Sequence, residues 1–219
     1  STVIPSFYIL CFTFFIFLFI NTAWRIVFIF YFVDPTGWQD ITLFLKSIVI
    51  GMRLDIIVAG FLTLPVFLSI FLPFIGWLSR IYQISYRVYI TAVITFISFL
   101  FLFDIDFFEE FGGHINYLLI QNGGNQGEIW NFIWQEYPLI IYAFLLTGIA
   151  YFSNKLTGLI VKSTQFKQKT HILLRVVTVF FSFACLVVAC RGGWQERPVN
   201  WGYAMFSDNM IANQSALNG

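Results

Sequence analysis

The chain has 219 residues, of which 59% are hydrophobic, 21% aromatic and only 11% charged, and its mean hydropathy is +0.81. Soluble domains carry about a quarter of their residues as charges, so this composition excludes them and points to an integral membrane protein. The net charge of +1 comes without a basic face or a long Lys/Arg run to neutralise a row of phosphates, which excludes nucleic acid as a partner.

A spanning helix needs ~20 predominantly apolar residues, and five stretches predict one: about 7–33, 51–72, 88–108, 137–152 and 172–190. The opening STVIPSFY has neither a basic n-region nor a small-residue cleavage site, so the first helix stays in the membrane. An amphipathic lead-in, Trp38 to Ile50, precedes the second span, where Pro65 predicts a bend near Phe61. The fourth span is the shortest and has room to extend past Tyr151.

Orientation follows from the short loops. Arg80 and Arg87 lie between the second and third spans, and Lys155, Lys162, Lys167 and Lys169 lie between the fourth and fifth, in both cases without an acid. The loop between the third and fourth spans carries Asp104, Asp106, Glu109, Glu110, Glu128 and Glu136 without a base. The expected topology is therefore amino end inside and carboxyl end outside. Within the acidic loop, Ile129, Trp130, Ile133, Trp134 and Tyr137 recur at near-helical spacing, which predicts short interfacial helices on the outer face. No internal repeat appears, so an inverted-repeat transporter fold has no support.

Six charges are expected at one membrane depth: Arg25 about two turns from the outer end of the first span, Arg53 and Asp55 at the outer start of the second, Asp104 and Asp106 at the end of the third, and Arg191 capping the fifth. Charges at such depth face the bundle interior and find partners, and Arg25 is expected to pair with Asp55 or Asp104. Two readings stand. The set locks helices together as ion pairs, or Arg53 and Arg191 hold the phosphate of a membrane phospholipid through the planar guanidinium fork.

Other candidates are weaker. His114 lies near Glu109 and Glu110 but has no second His nearby to make a metal set, and His171 reads as an interfacial residue. Ser207 beside Asp208 lacks a base, Asn213-Gln214-Ser215 fits a glycosylation pattern that recurs by chance, and Cys11, Cys185 and Cys190 read as inert core thiols. After Cys190 the sequence turns polar, RGGWQERPVNWGYAMFSDNMIANQSALNG, and reads as a strap leaving the outer face toward a segment beyond Gly219.

The second-span motif IGMRLDIIVAGFLTLP resembles the GxRxD-type entry of the lipoteichoic acid synthase family, and Arg25 sits where that family tends to place an Arg. The tail is similar to the family's connector, with an Arg-Gly pair at Arg191, a Gln-x-Arg-Pro containing Arg197, then Asn200, an Ala-x-Phe-Ser and an Asn-x-x-x-x-Asn. The resemblance runs the length of the chain; its specific parts are the tail and Gly51 to Asp55. It implies five helices anchoring an extracytoplasmic sulfatase-superfamily domain in the bacterial cytoplasmic membrane. In that domain a Thr nucleophile beside a divalent metal (Mn, Mg or Zn) would move phosphoglycerol from a phospholipid to an acceptor. The chain itself holds none of those catalytic motifs and no cofactor, so catalysis is expected only from the full-length protein. The rival expectation is a freestanding transporter or lipid-handling protein with a site at the same charges. Reading the gene past Gly219 checks this: a long frame with a strand and a Thr-bearing metal motif is expected, and a stop codon removes the transferase.

Overall fold

The computed structural model describes residues 3–33, 41–71, 80–114, 134, 137–163, 172–194 and 199–217. Five long helices follow in order: α1 (Val3–Phe32), α2 (Ile41–Phe71), α3 (Arg80–Phe111), α4 (Leu139–Ser163) and α5 (Ile172–Arg191). A 3-10 turn, Trp201–Ala204, and a short helix α6, Met210–Leu217, close the described chain. Every regular element among the described residues is helical, as hydrocarbon demands of a segment that must satisfy its own backbone hydrogen bonds. Helices α1 to α4 are long and apolar enough to cross a membrane, so this is a multi-pass membrane protein. The apolar part of α5 is shorter, Val176–Arg191.

The helices run further than hydropathy marks them. The segment expected as a separate lead-in is continuous with α2 from Ile41, and the helix passes through Pro65 without ending. Lys46, which interrupts the apolar run, lies over the Phe206 ring at 5.3 Å, so its charge is held at an aromatic face while its stem stays in the helix. Helix α3 starts at Arg80, two turns ahead of the expected Val88, and α4 continues through Lys155 and Lys162 to Ser163. Arg87 is more than a topology marker: it donates to Asn154 Oδ1 from Nε at 3.2 Å and Nη2 at 2.8 Å, joining α3 to α4. Of the expected outer-loop helix, only Trp134 and Tyr137 are described. Trp134 is exposed, but Tyr137 is buried against Phe103, with rings 5.2 Å apart, rather than lying at a surface.

Neighbour relations place the helices in the order α4, α3, α1, α2, α5, with α5 also touching α1. On α3 the buried positions Tyr82, Tyr86, Ile90, Ile94, Ser98 and Phe101 recur every three or four residues, which is one face of a helix. The buried residues of α4 are only Tyr142, Ser153, Thr157 and Val161, a single narrow stripe that fits its place at the flank. With apolar chains on all sides, helices associate through close packing and interhelical hydrogen bonds. Thr13 and Tyr86 hydroxyls meet at 2.9 Å between α1 and α3, and Trp24 Nε1 donates to Ser98 Oγ at 3.1 Å one stretch further along. Cys185 is exposed and is not the core thiol expected.

Between α2 and α5 the contact is made by a missing side chain. A Cβ on Gly60 would meet the Cys190 backbone nitrogen at 3.0 Å and Sγ at 3.1 Å, so glycine sets how closely the two helices approach. Gly148, midway along α4, has open space around it. Gly60→Ala is expected to lower stability by about 1–3 kcal/mol, whereas Gly148→Ala is expected to be neutral or to raise it by up to about 1 kcal/mol; thermal unfolding of the purified variants in detergent checks both.

Candidate functional site at the strap end of the bundle

Among the described residues Arg25 is the largest side chain with no exposed surface. It sits two turns before the end of α1 and faces α2, where Asp55 is 2% exposed. Nη2 donates to Asp55 Oδ1 at 2.7 Å and Nε to Oδ2 at 3.3 Å, a forked pairing in which both carboxylate oxygens are used. Thr22 Oγ1 adds a longer bond to Oδ2 at 3.4 Å. The remaining arm, Nη1, donates to the backbone carbonyl of Ser215 in α6. The guanidinium plane needs room on α2 one turn before Asp55, and Gly51 provides it, since a Cβ there would fall inside the guanidinium. Because α2 begins at Ile41, Arg53 and Asp55 lie about three to four turns inside the helix and not at its start.

The tail therefore returns to the bundle over its described length. Its path is set by Gly192 and Gly193, with φ of 77° and 136°. Gly193 N–H bonds Val188 O at 3.1 Å and Gly192 N–H bonds Ala189 O at 2.9 Å, the paired closing bonds of a helix ended by a left-handed glycine. A side chain on Gly192 would also strike Val199 and Ile57, both within 3 Å of its Cβ position. Val199 N–H then reaches the Arg191 carbonyl at 3.4 Å, and the chain folds back.

Asparagine side chains shape the returning segment. Asn200 caps the 3-10 turn by accepting from Gly202 N–H at 3.0 Å. Asn209 accepts from Ala212 N–H at 3.0 Å at the start of α6. Asn213 accepts from the N–H groups of Phe206 and Ser207 at 3.2 and 3.1 Å and donates to Ser207 O at 2.7 Å. Its amide, matched in sequence to a glycosylation pattern, is thus committed to the turn. The packed face of α6 is made of small residues, with Ala212 and Ala216 fully buried and Ser215 1% exposed. Ser215 Oγ meets Ser47 Oγ of α2 at 2.6 Å, and Ala212 joins Ile29, Val33 and Phe44 in an apolar cluster.

A second link runs through His114. Nδ1 lies 2.6 Å from Asp104 Oδ2 and Nε2 lies 2.9 Å from the Gln214 carbonyl, while the ring packs against Phe28 and Phe108 at 5.2 and 5.4 Å. The partner of Asp104 is thus His114 and not Arg25. Asp106 accepts from Tyr142 OH at 2.5 Å, joining α3 to α4, and Tyr31 OH donates to Glu109 at 2.8 Å. Burial pushes the Tyr137 phenol up to about 12, with Asp106, Glu110 and Asp104 adding to the shift.

Of the expected charge set, the structure joins Arg25 to Asp55 and assigns Asp104 and Asp106 to other partners. Arg53 and Arg191 are both exposed, and Arg197 lies outside the described residues. Among the described residues no three His, Cys, Asp or Glu side chains are grouped to hold a metal. Sequence reasoning marked Gly51 only as part of a motif and missed Ser47, Ser215 and the Gln214 carbonyl as partners. The GxRxD spacing carried the one available signal, since Gly51 and Asp55 are separated by one helical turn and so share a face.

Removing one member of a buried pair leaves the other charged and unpaired, which costs about 3–5 kcal/mol. Asp55→Ala is expected to destabilise the protein by that amount, and the double variant Arg25→Met with Asp55→Leu to recover most of it, measured as thermal unfolding in detergent. No family model, curated protein or solved structure matches the chain.

Proposed function

We propose that this chain is the membrane-anchoring domain of a lipoteichoic acid synthase-like phosphoglycerol transferase. It would cross the bacterial cytoplasmic membrane five times, amino end inside, with α5 as the fifth span and the strap end outside. A catalytic domain of the sulfatase superfamily would follow the strap and bring its own divalent metal. Five spans are physically reasonable because α5, at 20 residues, is about 30 Å long, the thickness of the hydrocarbon core.

The observation that carries the reading is the bond from Arg25 to the Ser215 carbonyl. It makes the strap part of the bundle, so a domain joined to it would stand at a fixed height and angle above the lipid. An enzyme whose donor is a membrane lipid gains from such a mount, because a tethered site meets its substrate at high effective concentration and in a restricted orientation. The same geometry weighs against a transporter built on these charges. Arg25 and Asp55 are fully enclosed and bonded to each other, and the strap covers them.

The full-length protein, assayed with phosphatidylglycerol vesicles, is expected to release diacylglycerol. Arg25→Gln is expected to lower that rate about tenfold or more while leaving hydrolysis of a soluble phosphodiester unchanged, since misplacement by about 1 Å can cost a hundredfold. Equal loss on both substrates would overturn the mounting role.

A further inference from the structure

Two grooves run along α5 on either side of the row Phe181, Cys185 and Ala189, which lines both. One, about 250 Å³, lies between α1, α2 and α5 and reaches Phe7, Thr63 and Ser182. The other, about 510 Å³, is a furrow that passes Ile56 and opens beside Gly193 and Trp194. From Phe181 to Arg191 the furrow follows α5 for ten residues, about 15 Å, which is the depth of one leaflet of a ~30 Å hydrocarbon core. Its walls are apolar throughout this length.

The mouth has a different chemistry. Arg53 stands one turn before Ile56 on the face of α2 that carries Ile56, which lines the furrow, and Gly60, which meets α5. It is exposed and makes no hydrogen bond or ion pair among the described residues. Arg191 ends α5 at the same level as the opening, α5 contains no acid, and Asp55, the acid nearest Arg53 on α2, is occupied by Arg25. Trp194, 90% exposed at the rim, is the residue type that sits at the headgroup level of a membrane.

We propose that this furrow is a binding site for one glycerophospholipid, with an acyl chain laid along α5 and the phosphate held by the Arg53 guanidinium. The furrow alone would accept any apolar chain. The arginine at its mouth, without a partner among the described residues, selects a chain that ends in a phosphate, because a forked donor matches phosphate oxygens. The site rests on the membrane reading of the chain but not on the transferase reading, since binding requires no catalytic domain.

The test is native mass spectrometry of the purified chain after delipidation and addition of phosphatidylglycerol or, separately, diacylglycerol. Wild type is expected to retain one phosphatidylglycerol and little diacylglycerol. Arg53→Gln is expected to weaken phospholipid retention about tenfold, the loss of a charge-assisted bond of about 1.4 kcal/mol, and Arg53→Lys to restore part of it. Ala184→Trp, a change at an exposed residue of the furrow wall, is expected to abolish retention of either lipid with unfolding temperature unchanged. Equal retention of the two lipids by wild type, or wild-type retention in either Arg53→Gln or Ala184→Trp, would overturn the site. If binding behaves as expected while the full-length protein lacks transferase activity, the furrow stands and the proposed function fails.

Discussion

A guanidinium enclosed at membrane depth must have its charge and its donors answered, and at Arg25 the answer comes from three places in the chain. Asp55 supplies the charge, Ser215 the last acceptor and Gly51 the space. Each fixes a different relation: Asp55 the register of α1 against α2, Gly51 the distance between them, and Ser215 the seat of α6 over both. A buried pair of this kind is weak evidence for net stability, since the cost of removing two ions from water can exceed their attraction. Its effect is on specificity, because alternative registers would leave the arginine unpaired.

The arginines divide by what surrounds them. Arg25 is closed in on every side, Arg87 spans two helices at their surface, and Arg53 is exposed among apolar neighbours. Position in the sequence does not separate these roles: Arg53 and Asp55 are two residues apart on one helix, yet a helix turns about 200° between such positions. Asp55 thus looks at α1 while Arg53 looks toward α5 and the lipid.

The membrane class and the helices' positions were legible because a run of ~20 apolar residues has few alternatives in hydrocarbon. The ends were not, since Tyr82, Tyr86, Lys46 and Lys155 are tolerated in helices that continue beyond the apolar run. The pairing of Arg25 with Asp55 was half legible: charge arithmetic offered Asp104 equally, and only the structure gives that carboxylate to His114. The docking of α6 was hidden. Its buried face consists of Ala212, Ser215 and Ala216, which carry little hydropathy, and its key acceptors are the backbone carbonyls of Gln214 and Ser215, which any residue would supply. The strap's fold rests on asparagine side chains bonding nearby backbone, a pattern that resembles ordinary polar linker until its partners are seen.

The three partners of Arg25 also impose an order on assembly in the membrane. Helix α1 is synthesised first, and alone it would place an unpaired cation in hydrocarbon at a cost of about 2.5–3.5 kcal/mol. Neutralisation becomes available only with α2, 30 residues on at Asp55, so the two helices gain from entering the bilayer as a hairpin. The third bond waits for Ser215, 190 residues after Arg25, when α3, α4 and α5 have already emerged. Until then Nη1 remains without its acceptor, and Ser47 Oγ and His114 Nε2 lack the α6 partners they meet in the closed bundle.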